Sequence, residues 1–234
     1  MTEKKLQIIS DVHTECGMSV EKFASLLKTA DVTVLAGDIV NRASKLAPFL
    51  KECKKISTFV IFVCGNHEYY RKSVDQDYAE ICKQEDVVFL QRNRIKVDGI
   101  WFCGATLWSN VSDAVHEMMN DPFKGKKIRE MHAIDKKWLQ ENVEKADVVI
   151  THHLPSLQLI DEKYSDSPLI CAFASNLENL LKELQPTAWI CGHTHKKFDI
   201  VLENVRIIAN PVGYANENSN FETKIISLNN FFHE

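Results

Sequence analysis

The chain has 234 residues, 45% hydrophobic and 26% charged, with a formal net charge of −4 and seven cysteines. That composition supplies a sizeable buried core and argues against a sequence-independent nucleic-acid binder, which needs a basic face. No apolar run reaches membrane-spanning length, the start MTEKKLQIIS is too short for a secretion signal, and the cysteines lack Cys-x-x-Cys spacing, so a reduced, cytoplasmic protein is expected.

In chain order, LQIIS (6–10) reads as a strand and SVEKFASLLKTA (19–30) as a helix capped by Ser19. DVTVLAG (31–37) is the next strand. A helix over RASKLAPFLKECKK (42–55) follows, which Pro48 is expected to interrupt, and then the strand TFVIFVCG (58–65). A helix over SVDQDYAEICKQ (73–84) precedes three closely spaced strands, VVFL (87–90), RIKV (94–97) and IWFCGA (100–105). The apolar spacing of KKIREMHAIDKKWLQENVEK (126–145) predicts a long helix, ADVVIT (146–151) a strand, SNLENLLKELQ (175–185) a helix and TAWICG (187–192) a strand. FDIVLENVRIIAN (198–210) reads as a hairpin turning at Glu203-Asn204. Strand–helix–strand units early and hairpins later predict an α/β fold with mixed sheets covered by helices. No repeat, low-complexity tract or Pro/Gly-rich linker divides the chain, so one domain over 1–234 is expected. The least regular segments, about 105–126 and 153–175, have the length of functional loops.

Five of the predicted strands run into polar clusters: Asp11 and His13, then Gly37, Asp38 and Asn41, then Gly65, Asn66, His67 and Glu68, then His152 and His153, and last His193 and His195. Ligands of open α/β sheets bind at the carboxyl ends of strands, so these clusters are expected to converge on one crevice. Carboxylates, imidazoles and one amide oxygen, without a thiolate, suit two hard-to-borderline divalent cations. One carboxylate can bridge two metals about 3.5–4 Å apart. The glycines before Asp38, Asn66 and His193 let the chain turn sharply as it leaves each strand. Taken singly, each cluster has a plainer reading: Gly-Asp is a turn, Asn66 a left-handed turn residue, the doublet at 152–153 a surface pair. Together they outweigh it, because six of the nine histidines fall in the clusters. His116, His132 and His233 fall outside and are read as helix-face or tail residues.

The ordered set Asp-x-His, Gly-Asp, Gly-Asn-His-Glu, His and Gly-His-x-His, spread from residue 8 to about 214, resembles the calcineurin-like metallophosphoesterase superfamily. GNHEYY, GATLW, THHLPS, FASNLENL and NPVGY are similar to a bacterial-type branch of it. The resemblance implies a β-sandwich flanked by helices, in four layers α-β-β-α, with metals at the strand ends. It implies one metal on Asp11, His13, Asp38 and His195, and a second on Asp38, Asn66, His152 and His193. His67 would sit near the scissile phosphate, protonating the leaving group or stabilising developing charge. Spacing alone leaves His152 and His153 as alternatives, and the resemblance favours His152. Asn41 stands where many relatives carry an acid, which leaves any supporting role at that position open.

Two such ions answer the problem of phosphate ester hydrolysis: they neutralise phosphate oxygens and turn a bridging water into hydroxide for direct in-line attack. Neither a phosphate-binding Gly-rich loop nor a Gly-x-Ser-x-Gly elbow competes for the role. Imidazole and carboxylate suit Mn, Fe, Zn or Co alike. Tyr69, Tyr70, Trp108 and Tyr214 lie near the motif loops, where they either shape a leaving-group pocket or pack the loops. The expected substrate is a small phosphodiester or nucleotide-type phosphate ester, with no membrane and no nucleic-acid partner; the oligomeric state is left open. The alternatives are a nuclease, which calls for a basic patch that is not visible, and a non-catalytic scaffold of the same fold, which typically lacks several ligands that are filled here.

Overall fold

The computed structural model describes residues 3–144, 147–164, 166–217 and 220–231. His233 lies outside the described residues, as do Lys145 at the end of the predicted long helix and Ala146 at the start of the predicted strand after it.

The first half alternates β1 (Lys5–Ile9), α1 (Val20–Leu26), β2 (Ala30–Ala36), α2 (Ala47–Ile56), β3 (Ser57–Val63), α3 (Asp75–Gln84) and β4 (Val88–Phe89). β5 (Asn93–Val97), β6 (Ile100–Ala105), α4 (Asp113–His116), α5 (Gly125–Asn142) and β7 (Val148–Thr151) follow. Then come α6 (Ile170–Phe173), α7 (Glu178–Leu184), β8 (Ala188–Cys191), β9 (Phe198–Leu202), β10 (Val205–Ala209) and β11 (Lys224–Ser227). One sheet has the order β11-β1-β2-β3-β4, the other β5-β6-β7-β8-β10-β9. The inner strands of both are parallel; β11, β5 and β9 pair antiparallel with their neighbours.

Three apolar layers hold the sheets in place. Leu6, Ile8, Val34 and Ile61 of the first sheet meet Phe102, Ile150, Ile190 and Ile208 of the second between them. Alternate residues, such as Ile9, Leu35 and Phe62, face outward under Phe23 of α1, Leu50 of α2 and Tyr78 of α3. On the far side Val149, Trp189 and Ile207 pack under Leu139 of α5 and Leu180, Leu181 and Leu184 of α7. Each fully buried large side chain contributes roughly 1.5–3 kcal/mol, which fixes which face of each strand turns inward. The layers therefore run helix, sheet, sheet, helix, as the sequence predicts.

Most predicted elements are present, with some differences; the four-residue helices α4 and α6 fall in segments read as irregular. Ser19 does cap α1, its Oγ accepting from the N–H of Lys22, but the helix stops at Leu26. Pro48 sits in the first turn of α2, where its missing N–H has no intrahelical role, so it starts the helix instead of interrupting it. The hairpin turn holds, with Glu203 and Asn204 both at positive φ. β11 is unforeseen, because a four-residue edge strand carries too short a pattern. His132 does lie on a helix face, the buried one of α5, beside Ile128, Asp135 and Leu139, with Nδ1 2.8 Å from the Leu107 carbonyl oxygen. No helix among the described residues is long and apolar enough to cross a membrane.

Candidate metal centre

The carboxyl ends of β1, β2, β3, β7 and β8 meet where the two sheets open, and every cluster singled out in the sequence arrives there. The exits are left-handed: Asp11, His13, Asp38, His193 and His195 all have φ between 46 and 67°. Such positions cost about 1–3 kcal/mol each and persist only where neighbours over-determine them. Here the exits are tied to one another. The Asp11 N–H donates to the Gly37 carbonyl, that of His13 to the Asp38 carbonyl, and that of His193 to the Asp11 carboxylate at 2.9 Å. Gly37 alone of the three predicted turn glycines has a positive φ, 87°. At Gly65 the reason is close approach: a Cβ there would stand 2.1 Å from Asp38 Oδ1.

Among the described residues, three groups of possible ligand atoms lie around Asp38, of which His13, Glu15 and His67 form one; the other two gather the residues expected to hold metal. In one, Asp11 Oδ1 is 3.5 Å from His195 Nε2, which is 2.9 Å from His13 Nε2. In the other, Asp38 Oδ2 is 3.3 Å from His152 Nε2, which is 3.2 Å from His193 Nδ1. Asp38 Oδ2 also faces His13 Nε2 and His67 Nε2, each at 3.9 Å, so one buried carboxylate stands between both groups.

The chemistry of these donors fits a cation. The Nδ1 atoms of His13 and His195 face carboxylate oxygens of Glu15, at 3.2 Å, and Glu217, at 2.6 Å. With those carboxylates accepting Nδ1–H hydrogen bonds, the protons stay on Nδ1 and the two Nε2 lone pairs, on atoms 2.9 Å apart, are free to face a cation. Nitrogens about 2.0–2.1 Å from one shared ion stand at roughly this separation. His152 is set the same way, Nδ1 at 2.9 Å from the Ala36 carbonyl and Nε2 facing Asp38. Asn66 donates from Nδ2 to Asp121 Oδ1 at 2.8 Å and to the Tyr70 hydroxyl at 3.1 Å, while its buried Oδ1 has no partner. A pinned amide with an orphaned oxygen is what a ligand oxygen looks like.

Charge in the pocket is correspondingly polarised. Burial works against ionising Asp38, but His152, His67 and His13 hold its carboxyl well below the usual range. Burial likewise opposes charge on His67, and Asp38 and Glu15 outweigh it, pushing the imidazole up to about 9. Glu15 is held down to about 2 by His13 and His67 despite its burial. Burial, then the neighbouring imidazoles His153 and His152, push His193 well below its ordinary value.

His153 sits behind this arrangement. Its ring lies 4.2 Å from that of His193 and 5.5 Å from Trp108, and it belongs to neither group of ligand atoms. His153→Phe is therefore expected to keep the full metal content, whereas His152→Ala loses at least one ion per chain; elemental analysis of the two purified variants reads the difference. Equal loss in both would return the ligand position to either residue.

Four carboxylates have roles that the sequence did not signal. Glu15, Asp121 and Glu217 hold His67, Asn66 and His195 from loops far along the chain, and only proximity in space identifies them. Glu68, present in the Gly-Asn-His-Glu cluster, is fully buried and accepts from the N–H groups of Asp38, Ile39, Val40 and Gly65 at 2.6–3.0 Å. It shapes the β2 exit. Of the aromatics, Tyr70 stacks on His67 with centroids 4.2 Å apart, and Tyr214 covers His13 and His195 at 4.6 and 4.7 Å. Tyr69 and Trp108 are buried against each other and pack the loops.

Above the centre lies a cleft of about 380 Å³. Met118 and Met119 form one wall, Tyr164, Leu169 and Phe173 another, and Asp121 and Glu217 its polar rim; among the described residues that line it there is no Lys or Arg.

A family model described as calcineurin-like phosphoesterase matches residues 5–197 of the chain. A protein of Acanthamoeba polyphaga mimivirus, named "Uncharacterized protein L509", is 28% identical over 263 residues, 92% of this chain and 93% of its own. Among solved structures, phosphopantetheinyl hydrolase from Mycobacterium tuberculosis superposes with a TM-score of 0.76 at 15% identity, covering 99% of both chains. The protein TT1561 of Thermus thermophilus does so at 0.59 and 12% identity, covering 97% of this chain and 99% of its own. At those identities the likeness is one of fold.

Proposed function

The chain belongs to the calcineurin-like phosphoesterase family and is a metal-dependent hydrolase of phosphate esters, and from that premise we propose that it cleaves small phosphodiesters with two divalent ions. The observation that carries the reading is Asp38: one buried carboxylate facing both ligand groups, at the floor of a cleft without a Lys or Arg among its described lining residues. We assign one ion to Asp11, His13, His195 and Asp38, and the second to Asp38, Asn66, His152 and His193. Mn, Fe, Zn and Co all suit these donors. When bound, such ions neutralise phosphate oxygens and lower the pKa of a water.

The chain's own residues do the rest. His67 reaches the centre by Nε2 and holds a proton for the leaving oxygen, while Tyr70 stacks over one face of the ring. Asp121 and Tyr70 keep the Asn66 amide from turning. Tyr214 and the apolar walls exclude water around the ester arms.

The electrostatics of the cleft choose the substrate class. A phosphomonoester dianion, or a chain of phosphates, brings charge that no described Lys or Arg of the lining meets and that Asp121 and Glu217 repel. A diester brings one charge, which the centre takes, and an uncharged arm, which Met118, Met119, Leu169 and Phe173 can pack. The same lack of Lys and Arg disfavours polymeric nucleic acid. The reading treats 1–234 as one domain acting in the cytoplasm.

Stripping the protein of metal and reloading it with Mn²⁺ tests this directly. Bis(p-nitrophenyl) phosphate is expected to turn over faster than p-nitrophenyl phosphate, and His67→Ala to keep its metal while losing roughly 10²–10⁴ in rate, the usual contribution of a positioned acid. Monoester hydrolysis that outpaces diester hydrolysis would overturn the substrate class. Silence on both esters with Mn²⁺, Zn²⁺, Fe²⁺ and Co²⁺ would favour a partner-binding scaffold.

A further inference from the structure

Asn41 stands three residues after Asp38, and its buried Oδ1 has no hydrogen-bond partner, so it gives no acceptor to His67. A different residue does. Glu15 lies in a short 3-10 turn, Thr14–Cys16, directly after His13. Its Oε1 stands 2.6 Å from His67 Nδ1 and 3.2 Å from His13 Nδ1, and its Oε2 is buried without a partner.

We propose that Glu15 is the positioning residue for His67: its Oε1 accepts the Nδ1–H, fixes the ring plane, and aims the Nε2–H at the ester. The inference rests on the reading of His67 given above. The geometry supports it in three ways. The contact to His67 is the shorter of the two that Glu15 makes, so His67 is its main partner. The far nitrogen, Nε2, then points towards Asp38 Oδ2, 3.9 Å away, where the reacting phosphate must lie. Tyr70 covers one face of the ring, and the Nδ1 hydrogen bond sets its rotation.

Because one oxygen serves both His67 and His13, Glu15 also ties the proton-holding group to a candidate metal ligand. A carboxylate in this place makes the spacing His13-x-Glu15, two residues apart, part of the site and leaves position 41 free of that duty. The rival role is support of His13 alone, and the two differ in what they predict.

The test compares Glu15→Ala and Glu15→Gln with the parent, each loaded with Zn²⁺. In Glu15→Ala, nitrogen-detected NMR of the His67 ring, recorded at a pH where the ring is neutral, is expected to show loss of the single Nδ1–H tautomer, with two ions per chain retained by elemental analysis. kcat should fall about 10–100-fold for diesters with poor alkyl leaving groups and much less for p-nitrophenyl, with KM little changed. Glu15→Gln, which still offers an acceptor oxygen, should restore most of the tautomer and part of the rate. An unchanged His67 tautomer in Glu15→Ala overturns the proposal whatever the activity. So does loss of metal in step with rate at unchanged leaving-group dependence, which would assign Glu15 to His13. Failure of the parent to hydrolyse any ester would strike the function, and the tautomer measurement would still judge the contact.

Discussion

Asp38→Ala is expected to leave a folded chain that binds no metal pair and hydrolyses nothing at a measurable rate. On the proposed assignment the carboxylate serves both ligand groups, its Oδ2 lying 3.3 Å from His152 Nε2 and 3.9 Å from His13 Nε2, so its removal would open both at once, unlike the loss of any single histidine. The rate should fall by more than the roughly 10²–10³-fold that loss of one electrostatic partner costs. Asp38 Oδ1 also accepts the His67 N–H at 2.9 Å, so the variant disturbs the β3 exit too. Asp38→Asn keeps an acceptor there while removing the charge, which separates the two effects. Elemental analysis and hydrolysis of bis(p-nitrophenyl) phosphate should report the same loss in both variants. Metal-dependent turnover within about tenfold of the parent in Asp38→Asn would sink the bridging assignment.

The second large effect is on stability. Glu68→Ala is expected to destabilise the protein by about 4 kcal/mol or more, seen as a lower urea midpoint in the metal-free protein. One buried carboxylate satisfies four backbone N–H groups, and each donor left unpaired in the interior costs about 1–3 kcal/mol. Burial and the neighbouring Asp38 charge push the Glu68 carboxyl up to about 7, against the pull of those N–H groups. That balance holds only because all four donors converge. Glu68→Gln keeps one acceptor oxygen and turns an NH₂ toward two of the donors, so it should recover less than half of the loss. A shift below about 1 kcal/mol in Glu68→Ala would mean that the β2 exit holds its shape without the carboxylate. Both variants are expected to lose metal as well, since the N–H of Asp38 is among the four.

The amino-acid sequence by itself determined every strand but β11, the longer helices and the list of polar exits, because those signals are local. A run such as Val-Ile-Phe-Val followed by Gly-Asn-His-Glu declares both a buried strand and its polar end within a short stretch. It also supplied the family resemblance, through the order of those exits. Its account of Pro48 was wrong because a proline is silent about whether it stands inside a helix or at its first turn.

Only the tertiary structure decided what holds the exits in place. Glu15 and His67 are 52 residues apart, Asn66 and Asp121 are 55, and His195 and Glu217 are 22. In one dimension each of these acids resembles a solvated loop residue, and no periodicity links it to a partner. The structure likewise separated His152 from His153, adjacent residues with the same chemistry, by giving one the Asp38 oxygen and the other the Trp108 ring. A backbone pattern can specify where a chain turns, whereas a shared proton or a shared ion depends on distances between segments that only folding brings within about 3 Å.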